Sequence, residues 1–78
     1  MKLSELKKGD SATIVKLDTN ESLKTRLISF GVARGSELSI EACSLGKQTI
    51  EILVDGTLIG LRADEAANII VEKIEVED

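Results

Sequence analysis

Few side chains in this chain could carry out covalent chemistry. Cys43 is the only thiol, and the sequence contains no histidine. A cysteine or serine nucleophile needs a neighbouring base, most often a histidine, so the usual activating group is missing. Cys43 also follows the apolar face of a predicted strand, which favours a buried structural thiol. We therefore expect a protein that is not an enzyme and has no catalytic residue.

Metal chemistry has equally few candidate ligands. A single cysteine excludes an internal disulfide and any site built from several thiolates, and the commonest transition-metal ligand, histidine, is absent. Glu37, Glu41 and Glu51 could hold a hard or borderline cation at the surface, but only weakly. Asp64 and Glu65 are adjacent on a predicted helical turn, where neighbours do not face each other. We expect no dedicated metal site and no cofactor.

Two glycines, Gly31 and Gly35, do not match a phosphate-binding loop, in which Lys-Ser or Lys-Thr follows the last glycine. Gly31 is expected to end a helix, because glycine readily takes the left-handed conformation found just past a helix end. Val32 would then contact Leu27 across the cap. Gly35 is expected in the turn that leads to a strand. Both glycines therefore have structural roles.

The helix that Gly31 ends is the central predicted element. Leu23, Leu27 and Phe30 recur at positions i, i+4 and i+7, which places them on one face of a short helix. The helix should start near Asp18 to Asn20, whose side chains can accept hydrogen bonds from the free amides of the first turn, and Glu21 would complete a capping box with Asp18. We expect the three apolar side chains to enter the core together.

Five short strands are predicted around this helix, from apolar and polar residues that alternate with a period of two. Asp55 and Gly56 predict a type I′ hairpin turn, because both of its central positions need positive φ. Such short strands favour a curled sheet over an open one. The fold should be mainly β, and a small SH3-like barrel fits best, although the number and length of the strands also permit an OB-type barrel. The helix between strands 1 and 2 should cap the barrel through Leu23, Leu27 and Phe30. The predicted strands are 12–17, 37–42, 49–54, 57–62 and 69 to about 76, with single helical turns within 1–8 and 63–67.

Length and composition limit the classes of function. The 78 residues predict one small domain, 1–78, with no room for a cleft between two lobes. No apolar run could span a membrane and no signal-peptide core is present, so we expect a cytoplasmic protein that is not embedded in a membrane. A net charge of −4 and a single aromatic residue argue against a nucleic-acid partner. An RNA- or ribosome-associated barrel is the weaker alternative.

The charges are unevenly distributed along the chain. Residues 1–39 carry seven basic and five acidic side chains, whereas residues 40–78 carry three and nine. A bipolar distribution suits docking to another protein, although an ordinary solvated surface is the simpler interpretation. Lys24 and Arg26 are expected on the outer face of the helix, and Arg34 in the turn that follows. We predict that these three cations contact a partner.

The order of these motifs resembles that of the FeoA family (ferrous iron transport protein A). The resemblance rests on Leu-x-x-Leu-x-x-Gly-Asp at 3–10, Arg-Leu-Ile-Ser-Phe-Gly-Val-Ala-Arg-Gly-Ser at 26–36 and Ile-Glu-Ile-Leu-Val-Asp-Gly-Thr-Leu-Ile-Gly-Leu-Arg at 50–62. It covers essentially the whole chain. One departure is the loop before the third strand, where relatives usually carry Gly-x-Pro and this chain has Gly-Lys-Gln at 46–48.

The resemblance implies an SH3-like barrel and a cytosolic accessory of the ferrous iron permease FeoB, a membrane protein with a cytoplasmic GTPase domain. Contact with that partner would place the chain at the inner face of the membrane. The resemblance does not imply that the chain itself binds iron. The alternative function is a metal-responsive module that binds a divalent cation through surface carboxylates and regulates a partner.

Overall fold

The computed structural model describes residues 1–75. Five antiparallel strands form one sheet in the order β4-β3-β2-β1-β5, with a helix α1 between β1 and β2 and a short helix α2 between β4 and β5. The mainly β architecture and the order of its elements confirm the prediction. The predicted continuation of the last strand to Val76 and its acidic end lie outside the described residues. The elements are β1 (Ser11–Leu17), α1 (Glu21–Ser29), β2 (Glu37–Cys43), β3 (Thr49–Val54), β4 (Thr57–Arg62), α2 (Ala63–Ala66) and β5 (Ile69–Ile74), with 3-10 turns at Leu3–Glu5 and Leu45–Lys47.

The sheet curls because its central ladder is short and two strands are bulged. β1 pairs with β2 only over 11–13, and beyond that point β1 follows β5 while β2 follows β3. The register shifts between Ile14 and Lys16 in β1 and between Ile40 and Ala42 in β2. A bulge bends a strand and increases its twist, so the two shifts fold the sheet around its own apolar face.

The core consists of aliphatic side chains. Leu23 and Leu27 bring α1 into this core, but Phe30 is 47% exposed, so the prediction that it fills the core is wrong. Among residues 1–75 no polar or charged side chain is buried. The buried residues are Leu3, Leu6, Ala12, Ile14, Leu23, Leu27, Val32, Leu38, Ile40, Ile50, Ile52, Val54, Ile59, Leu61, Ala66, Ile69 and Val71.

The end of α1 explains why Phe30 is outside. Phe30 is the cap residue, and Gly31 follows with φ +85°. The Gly31 N–H donates to the Ile28 carbonyl at 2.9 Å, and the Val32 N–H donates to the Leu27 carbonyl at 2.9 Å. These two bonds form a Schellman motif, which confirms the predicted end of the helix at Gly31. The reversal places Val32, which is fully buried, in the core beside Leu27.

Helix α1 begins within the predicted range, but without the predicted capping box. Asn20 is the N-cap, and its side-chain oxygen accepts a hydrogen bond of 2.8 Å from the Leu23 N–H. Glu21 is already the first helical residue, so it cannot form the third position of a capping box with Asp18. Asparagine can satisfy a free first-turn amide as aspartate can, and the helix begins two residues later than that box requires.

Two local features hold the edge strands β4 and β5 in place. Asp55 (φ +50°) and Gly56 (φ +79°) form the two-residue turn between β3 and β4, which confirms the type I′ prediction. At the other edge, the Met1 ammonium donates to the Val71 carbonyl at 3.0 Å, and the Val71 N–H donates to the Met1 carbonyl at 2.8 Å. The first residue therefore covers part of the outer edge of β5.

An acidic residue connects the turn before β1 to β5. The Asp10 carboxylate accepts a hydrogen bond of 2.8 Å from the Lys7 N–H, and its other oxygen lies 3.6 Å from the Lys73 ammonium. The Lys7 N–H, with a smaller contribution from Lys73, lowers the pKa of Asp10. The charged carboxylate is thus the form that the fold favours.

Candidate docking groove

A groove of about 540 Å³ lies on the surface between β1, α1 and the turn that follows α1. Its charged lining residues are all cations, and its remaining lining residues are apolar. Because the groove combines both properties on a protein of net negative charge, it is the candidate functional site. Its lining consists of Val15, Lys16, Leu17, Lys24, Ile28, Ala33 and Arg34.

The bulge in β1 forms one wall of this groove. Ile14 pairs with Val71 and Lys16 pairs with Ile70, so Val15 is the extra residue. In a regular strand successive side chains alternate between the two faces, and Lys16 would follow the outward Val15 by turning inward. The extra residue instead leaves both Val15 and Lys16 exposed.

Helix α1 forms the second wall. Lys24 and Ile28 are four residues apart and therefore lie on the same face of the helix. Lys24 is half-buried, whereas Ile28 is 52% exposed. The adjoining face is anchored in the core by Leu23 and Leu27. The helix therefore presents one apolar side chain and one cation to the groove from a fixed position.

The turn after α1 forms the third wall. The Gly35 N–H donates to the Ile14 carbonyl at 2.7 Å, and the Ile14 N–H donates to the Ser36 carbonyl at 2.8 Å. Within the turn, the Ser36 N–H donates to the Ala33 carbonyl at 3.0 Å, and the Ser36 hydroxyl accepts from the Ala33 N–H at 3.0 Å. Gly35 has φ +91°, as expected of a glycine in a tight turn. Arg34 is thus held at an exposed corner beside β1.

The structure brings two of the three predicted contact residues together and separates the third. Lys24 and Arg34 both line the groove. Arg26 lies elsewhere, with its guanidinium 3.5 Å from the Glu65 carboxylate, and does not line the groove. Lys16 is instead the third cation that lines the groove. Sequence periodicity missed Lys16 because it gives no sign of the bulge. The role of these cations in partner contact stays a prediction.

A second surface depression, of about 630 Å³, surrounds the Arg26–Glu65 pair. Arg62 and Glu51 also line it, so two cations face two carboxylates. Opposite charges in equal number give no preference for a ligand of either sign. We therefore do not consider this depression a charged binding site.

The candidate metal ligands remain apart. Within residues 1–75 no group of three or more Cys, Asp or Glu side chains is close enough to hold a metal ion. Glu37, Glu41 and Glu51 are exposed. Cys43 packs against the core, but it is half-buried where a buried thiol was predicted. No helix in the described part of the chain is long and apolar enough to cross a membrane.

Comparison with known proteins identifies the family. The model of the FeoA domain matches residues 1–73. A protein of Campylobacter jejuni named as an Fe(2+) transport protein A is 42% identical over 74 residues, a match that covers 95% of this chain and 100% of that protein. A fusion of Fe(2+) transport protein A with the Fe(2+) transporter FeoB, from Porphyromonas gingivalis, is 30% identical over 74 residues, which cover 95% of this chain and 9% of the fusion.

Solved structures agree with this result. FeoA from Chlorobium tepidum superposes with a TM-score of 0.92 and 32% identity, covering 100% of this chain and 74% of that one. FeoA from Stenotrophomonas maltophilia, solved with zinc and described as a prokaryotic SH3 domain protein, superposes with a TM-score of 0.79 and 29% identity over 92% and 89% of the two chains. The SH3-like fold is therefore confirmed, and the OB-type alternative is not. The chain belongs to the FeoA domain family, and so to a family of small proteins of ferrous iron transport.

Proposed function

We propose that this chain is a cytoplasmic accessory protein of ferrous iron uptake that acts by contact with the cytoplasmic region of the permease FeoB. The supporting observation is the Porphyromonas gingivalis fusion, in which a domain similar to this one shares a polypeptide with FeoB. Fusion keeps two modules at a high effective concentration, which benefits modules that bind each other. The proposal includes neither catalysis nor transport by the chain itself.

Capture by the permease tests this proposal. An affinity tag belongs at the carboxyl end, because the Met1 ammonium donates to the Val71 carbonyl at the edge of the sheet. Detergent-solubilised FeoB should be retained by the tagged chain, and uptake of radiolabelled ferrous iron by cells that carry FeoB but lack their own FeoA should rise when the chain is supplied. A Leu27→Asp variant, which places a charge in the core, is the control for a folded chain. No retention and no change in uptake would overturn the proposal.

The metal-responsive module is a second candidate, favoured by the zinc complex of the Stenotrophomonas maltophilia relative. We expect millimolar calcium, manganous, ferrous or zinc ion to leave the melting temperature unchanged apart from ionic-strength effects, because the described carboxylates are not clustered. A ligand that binds only the folded state must raise its stability by mass action, so a thermal melt reports any real site. Cys43→Ala is the matched control for a response through the thiol. Saturable stabilisation by one metal would favour this candidate instead.

A further inference from the structure

We propose that the groove between β1, α1 and the turn at 33–36 binds an acidic segment of a partner protein, with an apolar side chain of that segment seated between Val15 and Ile28. The inference rests on the proposed function, since it specifies which part of the partner would be recognised. It follows from three properties of the groove: its charge, the apolar side chains of its walls and its rigidity.

The charge of the groove is uncompensated. Lys16, Lys24 and Arg34 line it without forming an ion pair in the part of the chain that the structure describes, whereas Arg26 pairs with Glu65. The chain as a whole has a net charge of −4. Three cations around one groove on an acidic protein create a local positive potential, which attracts carboxylates and steers their approach.

The apolar side chains in the walls of the groove favour a ligand that also carries an apolar side chain. Val15 is 43% exposed and Ile28 is 52% exposed, and both line the same groove as the cations. An apolar side chain of the ligand that lies against them would remove apolar surface from water on both molecules. A ligand with carboxylates alone would satisfy only the cations. The groove therefore favours a segment in which acidic residues flank an apolar one.

The walls of the groove are held in place before any ligand binds. Hydrogen bonds between Ile14 and residues 35–36 fix the turn to β1, and the buried Leu27 fixes α1. A binding surface that is already ordered loses little conformational entropy on association. This rigidity suits recognition of an extended or helical segment that itself orders on binding.

Other anionic partners fit the chain less well. An anionic membrane surface or a nucleic acid presents many negative charges to the whole protein, and a net charge of −4 opposes both. The lining also has no aromatic side chain on which a base could stack. A short acidic segment contacts the cations without approaching the acidic remainder of the surface.

Titration of isotope-labelled protein with a short peptide that carries leucines between glutamates tests the inference by NMR. Saturable shifts should be concentrated at Val15, Lys16, Lys24, Ile28 and Arg34, and raising the salt concentration should weaken binding by screening. The variant Lys24→Glu/Arg34→Glu should bind at least about tenfold more weakly, because it replaces two attractions by two repulsions.

The matched control is Lys7→Glu/Lys8→Glu, which makes the same change of charge at two exposed residues that do not line the groove. It should bind the peptide nearly as well as the unmodified chain does. The inference is overturned if this control loses binding equally, if a peptide with serines in place of the leucines binds as tightly, or if the shifts lie elsewhere. It is also overturned if vesicles of anionic lipid or a second copy of the chain occupy the groove in place of the peptide.

The same variants separate this inference from the proposed function. If FeoB retains the unmodified chain and Lys24→Glu/Arg34→Glu equally, the groove is not the docking site and the accessory role stands. If the peptide binds in the groove but FeoB retains neither protein, the groove binds an acidic segment of another partner and the proposed function fails.

Discussion

Replacing Leu27 with alanine is expected to lower the free energy of unfolding by about 2–5 kcal/mol, the usual cost of removing a large buried aliphatic side chain. Leu27 is fully buried in the core, and its carbonyl accepts the hydrogen bond from Val32 that closes the helix end. The loss would be a large share of the roughly 5–15 kcal/mol typical of a small domain. Urea unfolding followed by circular dichroism measures it.

Phe30→Ala is the matched control for this experiment. Its side chain is larger than that of Leu27 and lies three residues further along, but it is 47% exposed. Because the Phe30 side chain is already partly exposed in the folded protein, its truncation removes less buried apolar contact. We therefore expect the cost to be clearly smaller than that of Leu27→Ala. A larger loss with Phe30→Ala than with Leu27→Ala would contradict the burial of Leu27 in the core and the exposure of Phe30.

Replacing Gly31 with valine is expected to lower the free energy of unfolding by roughly 1–2 kcal/mol or more. Gly31 has φ +85°, and a left-handed conformation costs an L-residue about 1–2 kcal/mol, with β-branched residues the least tolerant. The substitution strains the turn that brings Val32 into the core. Chemical denaturation gives the change directly, and the slope of the transition shows whether the unfolded state has also changed.

Gly60→Val controls for the loss of glycine flexibility in the unfolded chain, because both variants lose it equally. Gly60 lies in β4, its φ is not in the left-handed region, and a Cβ at this position would meet no atom within 4 Å. Valine favours strands, so we expect little change or a small gain in stability. Equal losses at the two positions would show that the left-handed conformation of Gly31 is not what the helix end requires.

The elements of this fold were predictable because their signals are local. The period-two alternation in β2 and β3 follows directly from burial of one face, and Asp55-Gly56 determines the hairpin through its backbone angles. Gly31 marked the end of α1 for the same reason. Phe30 was predicted in the core because the helical periodicity of Leu23, Leu27 and Phe30 assumes that the helix continues. The helix instead ends at Phe30, where the cap changes the direction of the chain.

The groove was only partly predictable, because it depends on contacts between distant segments. Arg26 pairs with Glu65, 39 residues away, and no local pattern indicates that pairing. The position of Arg34 depends on the hydrogen bonds between the turn and Ile14. The exposure of Lys16 depends on the bulge, which appears only when β1 and β5 are aligned. Basic residue types suggested a docking surface, but only tertiary structure selects which of them share it.

The bulge at Val15 determines both which side chain packs against the core and which side chain faces the groove. The side chains of a strand have a parity, and one extra residue reverses that parity for every position that follows it. Leu17 packs against the core and Lys16 faces the groove because the strand is bulged at Val15. A regular strand that kept all of these residues would turn the lysine towards the core and the leucine towards water, whereas a deletion of Val15 would remove the bulge and keep both orientations. Loss of the bulge without loss of a residue would therefore be selected against through folding, even in a lineage where no partner occupied the groove.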